Sequence, residues 1–207
     1  MVNNPIEKYF NSYSRSVKDK LYRLEAFYSD WNTKINLVSR KDMDRFLLHH
    51  VTHSLSIGRI IEFRQGTRIL DAGTGGGLPG IPLAIAFPEV SFTLVDSVRK
   101  KINAVEDIRA GLNLHNVEVR WSRIEDIKEN FDFVVSRAVA PFTDLLNWAG
   151  KLIRRQSFNS MPNGIVALKG GDLSGELRNY PDCRIYNICD FFDEEYFLEK
   201  KIVYMPV

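Results

Sequence analysis

A chain of 207 residues, 44% of them hydrophobic, holds enough apolar material for one α/β domain with a small appendage. No apolar run approaches the roughly 20 residues that span a bilayer, and Met1-Val2-Asn3-Asn4-Pro5 has no basic stretch leading into an apolar one, so neither a membrane anchor nor a signal peptide is expected. The net charge of +2 is unevenly divided: residues 1–70 hold 12 Lys/Arg against 7 Asp/Glu (+5), residues 71–170 hold 12 against 11 (+1), and residues 171–207 hold 4 against 8 (−4). A basic amino-terminal end suits solvated helix faces or a surface that meets phosphate.

Residues 17–31 carry Val17, Leu21, Leu24, Phe27, Tyr28 and Trp31 at three- and four-residue spacing, which predicts an amphipathic helix. Lys18, Lys20 and Arg23 fall on its outward face. Asn36 to Lys41 reads as a short polar and basic connector. Asp42 is expected to cap a second helix reaching about Phe63, with Phe46, His50, Val51, Ser54, Ile57 and Ile61 on one face. Residues 1–63 thus read as a helical, basic segment, and residues 64–207 as a Rossmann-like domain.

From residue 67 the period changes. Strands are predicted near 67–71, 91–95, 117–121, 131–136, 164–169, 184–189 and 196–204, and helices near 79–87, 99–110, 142–153 and 171–178. That alternation predicts a seven-stranded, mostly parallel sheet covered on both faces. Only Asp190 to Glu195 separate the last two strands, so the last should be antiparallel. Gln156 to Asn163 reads as a flexible loop. Cys183 and Cys189 form no CxxC and are expected as buried thiols in a cytoplasmic enzyme of bacterial type.

The chemistry concentrates at Ile69-Leu70-Asp71-Ala72-Gly73-Thr74-Gly75-Gly76-Gly77. A strand, a glycine-rich turn and a helix opening at Leu78-Pro79 follow one another directly. Glycine permits sharp turns and close approach of a ligand to the backbone, and a helix start offers free N–H groups. The next strand, Phe92 to Val95, ends in Asp96, placed to accept from ribose hydroxyls. Gly75-x-Gly77-x-x-Gly80 also satisfies the dinucleotide fingerprint, so an NAD-dependent oxidoreductase is a rival. Asp71 favours S-adenosylmethionine, because an acid there suits a cationic ammonium and would repel a pyrophosphate. The antiparallel last hairpin, typical of class I methyltransferases, points the same way. Ile124 and Glu125, after the third strand, are candidates to read adenine.

The fourth strand ends in Ser136-Arg137-Ala138. No Asn/Asp-Pro-Pro-aromatic sequence marks an exocyclic amine as acceptor, and no Pro-Cys marks covalent attack on a pyrimidine. What remains is an acceptor that needs little deprotonation, of which guanine N7 is one. Arg137 could anchor the cofactor carboxylate or the acceptor, and Lys169 is a second basic candidate at the same edge. His49 and His53 have i,i+4 spacing, yet no third ligand accompanies them, so no metal is expected.

These residues resemble the glucose-inhibited division protein B family, the small-subunit ribosomal RNA guanine-N7 methyltransferases. The resemblance runs from about Trp31 to Lys169. It rests on Trp31-Asn32, Asn36-Leu37-Val38-Ser39, His50-x-x-His53-Ser54, the glycine loop with Leu78-Pro79-Gly80-Ile81-Pro82-Leu83, and Phe92-Thr93-Leu94-Val95-Asp96-Ser97. Ser122-Arg123-Ile124-Glu125, Ser136-Arg137-Ala138 and Leu168-Lys169-Gly170 complete it. The resemblance implies a class I S-adenosylmethionine-dependent methyltransferase whose cofactor contacts fall at Gly73, Leu78, Ile124, Glu125 and Arg137. It implies 16S ribosomal RNA, or the small subunit that carries it, as partner, and gives Lys18, Lys20, Arg23, Arg40, Lys41 and Lys169 a use as phosphate contacts. A monomer is expected. Two positions depart from the family pattern: His53 stands where Asp is usual, and Gly76 where Pro is frequent. A same-fold methyltransferase with another acceptor, or a non-catalytic RNA-binding protein, are the remaining rivals.

Overall fold

The computed structural model describes residues 4–207, so the reading of Met1 to Asn3 lies outside it. A short helix α1 (Pro5–Tyr9) precedes the long α2 (Arg15–Lys34), which Ser14 caps by accepting from the Val17 N–H. The predicted regular helix over 42–63 is instead a broken run. It passes through a 3-10 turn (Arg40–Arg45), a π turn (Leu47–Thr52), one α turn, α3 (His53–Leu55), and a second 3-10 turn (Ser56–Arg59). Side chains compete with the backbone ladder here: Thr52 donates to the Leu47 carbonyl, Ser54 to His50 and Ser56 to His53. Asp42 does not cap; its carboxylate meets His49 Nδ1 at 3.0 Å.

The sheet contains β1 (Arg68–Ala72), β2 (Ser91–Asp96), β3 (Val117–Trp121), β4 (Phe133–Arg137), β5 (Gly164–Gly170), β6 (Arg184–Asn187) and β7 (Lys200–Pro206), in the order β3-β2-β1-β4-β5-β7-β6. β7 runs antiparallel to both neighbours, as the missing helix before it predicts, and the other six are parallel. The covering helices are α4 (Gly80–Ala86), α5 (Arg99–Gly111), α6 (Phe142–Ala149) and α7 (Ser174–Leu177).

Alternation along each strand fills two cores. Ile69, Phe92, Leu94, Phe133, Val135, Val166, Leu168, Ile202 and Tyr204 pack with α1, α2, α4, α5 and the broken run. Leu70, Ala72, Val95, Val134, Ile165, Ala167 and Val203 pack with α6 and α7. The central strands are buried on both faces, as a parallel sheet requires, while the edge strands β3 and β6 keep exposed residues such as Trp121 and Ile185. Ile6, Leu21, Leu24, Tyr28, Phe46 and Val51, ahead of residue 63, belong to the first of these cores.

Sheet parity also decides where the polar residues at the strand ends point. Asp71 and Arg137 share parity with Ile69 and Val135 and face α4 and the broken run. Lys169 shares parity with Ala167 and faces α6 and α7.

The loop at 156–163 is pinned. Asn163 Nδ2 donates to the Arg154 and Gln156 carbonyls, its N–H goes to Ser157, and Asn159 accepts from Arg64 and Thr67. The side-chain amides that made it look loop-like are the groups that fix it.

Candidate cofactor site

β1, β2 and β4 end at a cleft of about 510 Å³ on the carboxyl edge of the sheet. Gly73, Gly75, Leu78, Asp96, Ile124, Glu125 and Arg137 all line it, together with Leu37, Thr74, Gly76, Ser97, Val98, Lys101, Ser122, Arg123, Ala138, Val139 and Trp148. Its volume falls in the range of small-ligand sites.

Two glycines of the loop need their freedom. Gly77 has φ +92°, and a Cβ there would sit 2.7 Å from Ile81 Cγ1. Gly75 has φ +59° and nothing within 4 Å of a Cβ position, so that face of the loop is open to a ligand. Asp96 fastens the loop: Oδ2 accepts from Gly75 N–H at 2.9 Å and Oδ1 from Val98 N–H at 2.8 Å. Each oxygen keeps a lone pair for a further donor.

Asp71 and Gly77 do not line the cleft. Asp71 is fully buried beneath the loop, where Oδ2 accepts from Thr74 Oγ1 at 2.6 Å and from Gly80 N–H at 2.8 Å. It therefore ties the loop to the first turn of α4. Oδ1 has no partner among the described residues. Burial pushes the carboxyl up from 3.8 to about 7, against the pull of those two donors.

Arg137 is held by the broken run. Its Nη2 lies 2.8 Å from His50 Nδ1. A guanidinium has only donors, so Nδ1 accepts and His50 is neutral with its proton on Nε2. Burial, reinforced by Arg137, drives His50 down to about 3. Burial also lowers Arg137, but an arginine stays charged. The result is a largely desolvated cation whose hydrogen-bonded partner is neutral: a ready receptor for a carboxylate. His53 lies beside Tyr196 and Phe197, and burial first, then Arg137 and Lys200, hold its imidazole well below the usual value.

The basic candidates part company. Lys18 pairs with Glu7 at 2.6 Å, and Arg23 donates to the Gly111 carbonyl at 2.8 Å. Lys169 bonds the Ala140 carbonyl and Glu176, each at 2.7 Å, which ties β5 to the chain after β4. Arg40 and Lys41 are exposed beside Leu37, on the rim of the cleft, and Lys20 is half-buried. His49 stacks on Tyr196 at 3.8 Å, and no group of three or more metal-binding side chains forms among the described residues.

One contact carried no signal in the sequence. Tyr28, inside the apolar stripe of α2, is fully buried and donates to the Gly76 carbonyl at 2.5 Å. The amino-terminal helix thus clamps the cofactor loop.

A mixed sheet with an antiparallel seventh strand, a glycine loop after β1 and an acid at the end of β2 define a class I S-adenosylmethionine-dependent methyltransferase. Solved structures share the fold. An S-adenosylmethionine-dependent methyltransferase from Aquifex aeolicus superposes with TM-score 0.54 at 16% identity, covering 77% of this chain and 91% of that one. A putative rRNA methylase from Clostridium thermocellum gives 0.52 at 16%, covering 75% and 93%. The model of the family described as "GidB: rRNA small subunit methyltransferase G" matches residues 18–186, and the chain belongs to that family. Relatives named "Ribosomal RNA small subunit methyltransferase G" are 46% identical in Christiangramia forsetii, over 98% of this chain and 96% of the relative, and 47% identical in Cytophaga hutchinsonii, over 97% and 98%. Family membership displaces the oxidoreductase reading.

Proposed function

We propose that this protein transfers the methyl group of S-adenosylmethionine to N7 of one guanine in 16S ribosomal RNA, with the small subunit as its substrate. The observation that carries this is the convergence of Asp96, the glycine loop and the Arg137 cation on one cleft, in a chain 46% identical to ribosomal RNA small subunit methyltransferase G.

The residues fit the cofactor. The Gly75 face is open, Asp96 keeps lone pairs for two ribose hydroxyls, Ile124 and Glu125 lie where the adenine edge would be read, and Arg137 awaits a carboxylate. Bound S-adenosylmethionine supplies an electrophilic methyl on a sulfonium. Asp71 acts through the loop as a positioning residue. Ala138, Val139 and Trp148, the lining residues that follow β4, carry no ionisable group. This suits guanine N7, which presents a lone pair and needs no base; what the protein contributes is position and exclusion of water. Arg40 and Lys41 serve as phosphate contacts at the rim. On this reading the enzyme works as a cytoplasmic monomer without a metal ion.

The test is nucleoside mass spectrometry after incubation of the protein and labelled S-adenosylmethionine with small subunits that lack the modification. Labelled 7-methylguanosine at one mapped position is expected. Label in another nucleoside, or none in RNA despite cofactor binding, would overturn the acceptor.

A further inference from the structure

A second groove, of about 800 Å³, lies at the amino edge of the sheet, opposite the cofactor cleft. Arg68 at the start of β1, Asp132 ahead of β4, and the chain from Lys151 to Phe158 between α6 and β5 build it. A five-residue strand separates the two sites by roughly 15 Å.

Its charge is lopsided. Glu129 is neutralised by Arg120 at 2.5 Å. Asp132 is fully buried; it accepts from the Arg68 N–H at 2.7 Å and has Arg154 Nη1 at 3.5 Å. The Arg68 guanidinium lies 5.4 Å from the Phe131 ring. Lys151 and Arg155 are exposed, and among the described residues neither has a carboxylate within ion-pair distance. Four cations therefore face two acids that are already engaged.

The rim adds a second, independent feature. Phe158 is 40% exposed, although the loop that carries it is tied down through Ser157, Asn159, Ser160 and Asn163. A fixed loop that leaves an aromatic ring outward, beside unpaired cations, has the composition of a single-strand stacking platform.

We propose that this groove is a second RNA-binding surface: Lys151 and Arg155 contact phosphates, and Phe158 stacks an unpaired base of the small-subunit RNA. The proposal rests on the ribosomal reading above. The groove lies at the opposite edge of the sheet from the cofactor cleft, so what it grips is a part of the folded substrate other than the target guanine.

The experiment compares wild type with Lys151→Ala/Arg155→Ala and with Phe158→Ala. Binding to small subunits is measured across a salt series, and S-adenosylmethionine affinity by calorimetry. The double variant should weaken subunit binding by about tenfold and flatten the slope of log K against log salt by about 1 for each cation removed. Phe158→Ala should weaken binding by roughly tenfold with the slope unchanged. In both, cofactor affinity and kcat should match wild type, with the loss appearing in KM for subunits. Variants that bind like wild type, with the same slope, would overturn the groove while leaving the methyl-transfer reading intact. A wild type that neither binds nor methylates subunits would overturn both.

Discussion

Asp71→Asn should gain stability relative to wild type as pH rises. In the folded protein the carboxyl titrates near 7, against 3.8 for the free group, because burial penalises the charge more than Thr74 and Gly80 reward it. The folded state therefore holds a proton that the unfolded state has released. The stability this proton confers is complete below the unfolded value and is lost as pH rises through about 7. At ~1.4 kcal/mol per pH unit, roughly 4 kcal/mol is at stake in all, of which roughly 3 kcal/mol falls between about pH 5 and pH 9. Asparagine is neutral throughout. Its amide oxygen can accept from both donors, and its NH₂ replaces the oxygen that has no partner. His50, lowered from 6.5 to about 3, titrates with the opposite sign: it costs stability as pH falls below 6.5. That contribution is common to both proteins and cancels in the difference. Thermal unfolding at several pH values should show the variant gaining on wild type by about 6–12 °C between about pH 5 and pH 9. Parallel curves would refute the assignment of a raised carboxyl to Asp71.

Arg137→Ala removes a cation that has little solvent and a neutral partner, so the melting temperature should hold while cofactor affinity falls by at least about tenfold and turnover by about 10²-fold; calorimetry and single-turnover methylation decide, and normal affinity would take Arg137 out of the site. Gly77→Ala should destabilise by about 1–3 kcal/mol, because its backbone has positive φ and its Cβ would strike Ile81, as a urea melt will show. Gly75→Ala also has positive φ but meets no neighbour, so it should destabilise less than Gly77→Ala and weaken cofactor binding more, and the reverse pattern would refute this placing of the loop. Arg40→Glu with Lys41→Glu should weaken subunit binding and flatten its salt slope without altering cofactor affinity, whereas Lys18→Ala and Arg23→Ala, whose side chains are already engaged within the fold, should leave the slope unchanged.

The parts legible in the sequence were those specified locally. The glycine loop, Asp96 and the antiparallel last strand each follow from a few adjacent residues: a turn that needs positive φ, an acid at a strand end, a linker too short for a crossover helix. Strand parity was also present, in the alternation of Ile69-Leu70-Asp71-Ala72. What the sequence lacked was which face α4 would cover. That alone sends Asp71 beneath the loop to cap Gly80 and keeps it off the wall of the cleft. The broken run over 40–59 was hidden for a related reason. Its apolar spacing is helical, and the hydroxyls that distort it act through hydrogen bonds that periodicity does not register.

Charge was the least transferable signal, because a count of residues is not a count of free charges. The amino-terminal excess includes Lys18 and Arg23, both engaged within the fold, and Lys169 is likewise engaged by a carbonyl and a carboxylate. Residues 71–170 look balanced at 12 against 11, yet they supply Lys151 and Arg155, which among the described residues have no acid within ion-pair distance. Pairing depends on which elements meet, and that is settled by the apolar faces. The same packing that buries Tyr28 brings its hydroxyl to the Gly76 carbonyl. The amino-terminal helix therefore shapes the cofactor loop from within the core, so a perturbation of that helix should register in cofactor affinity before it registers in RNA binding.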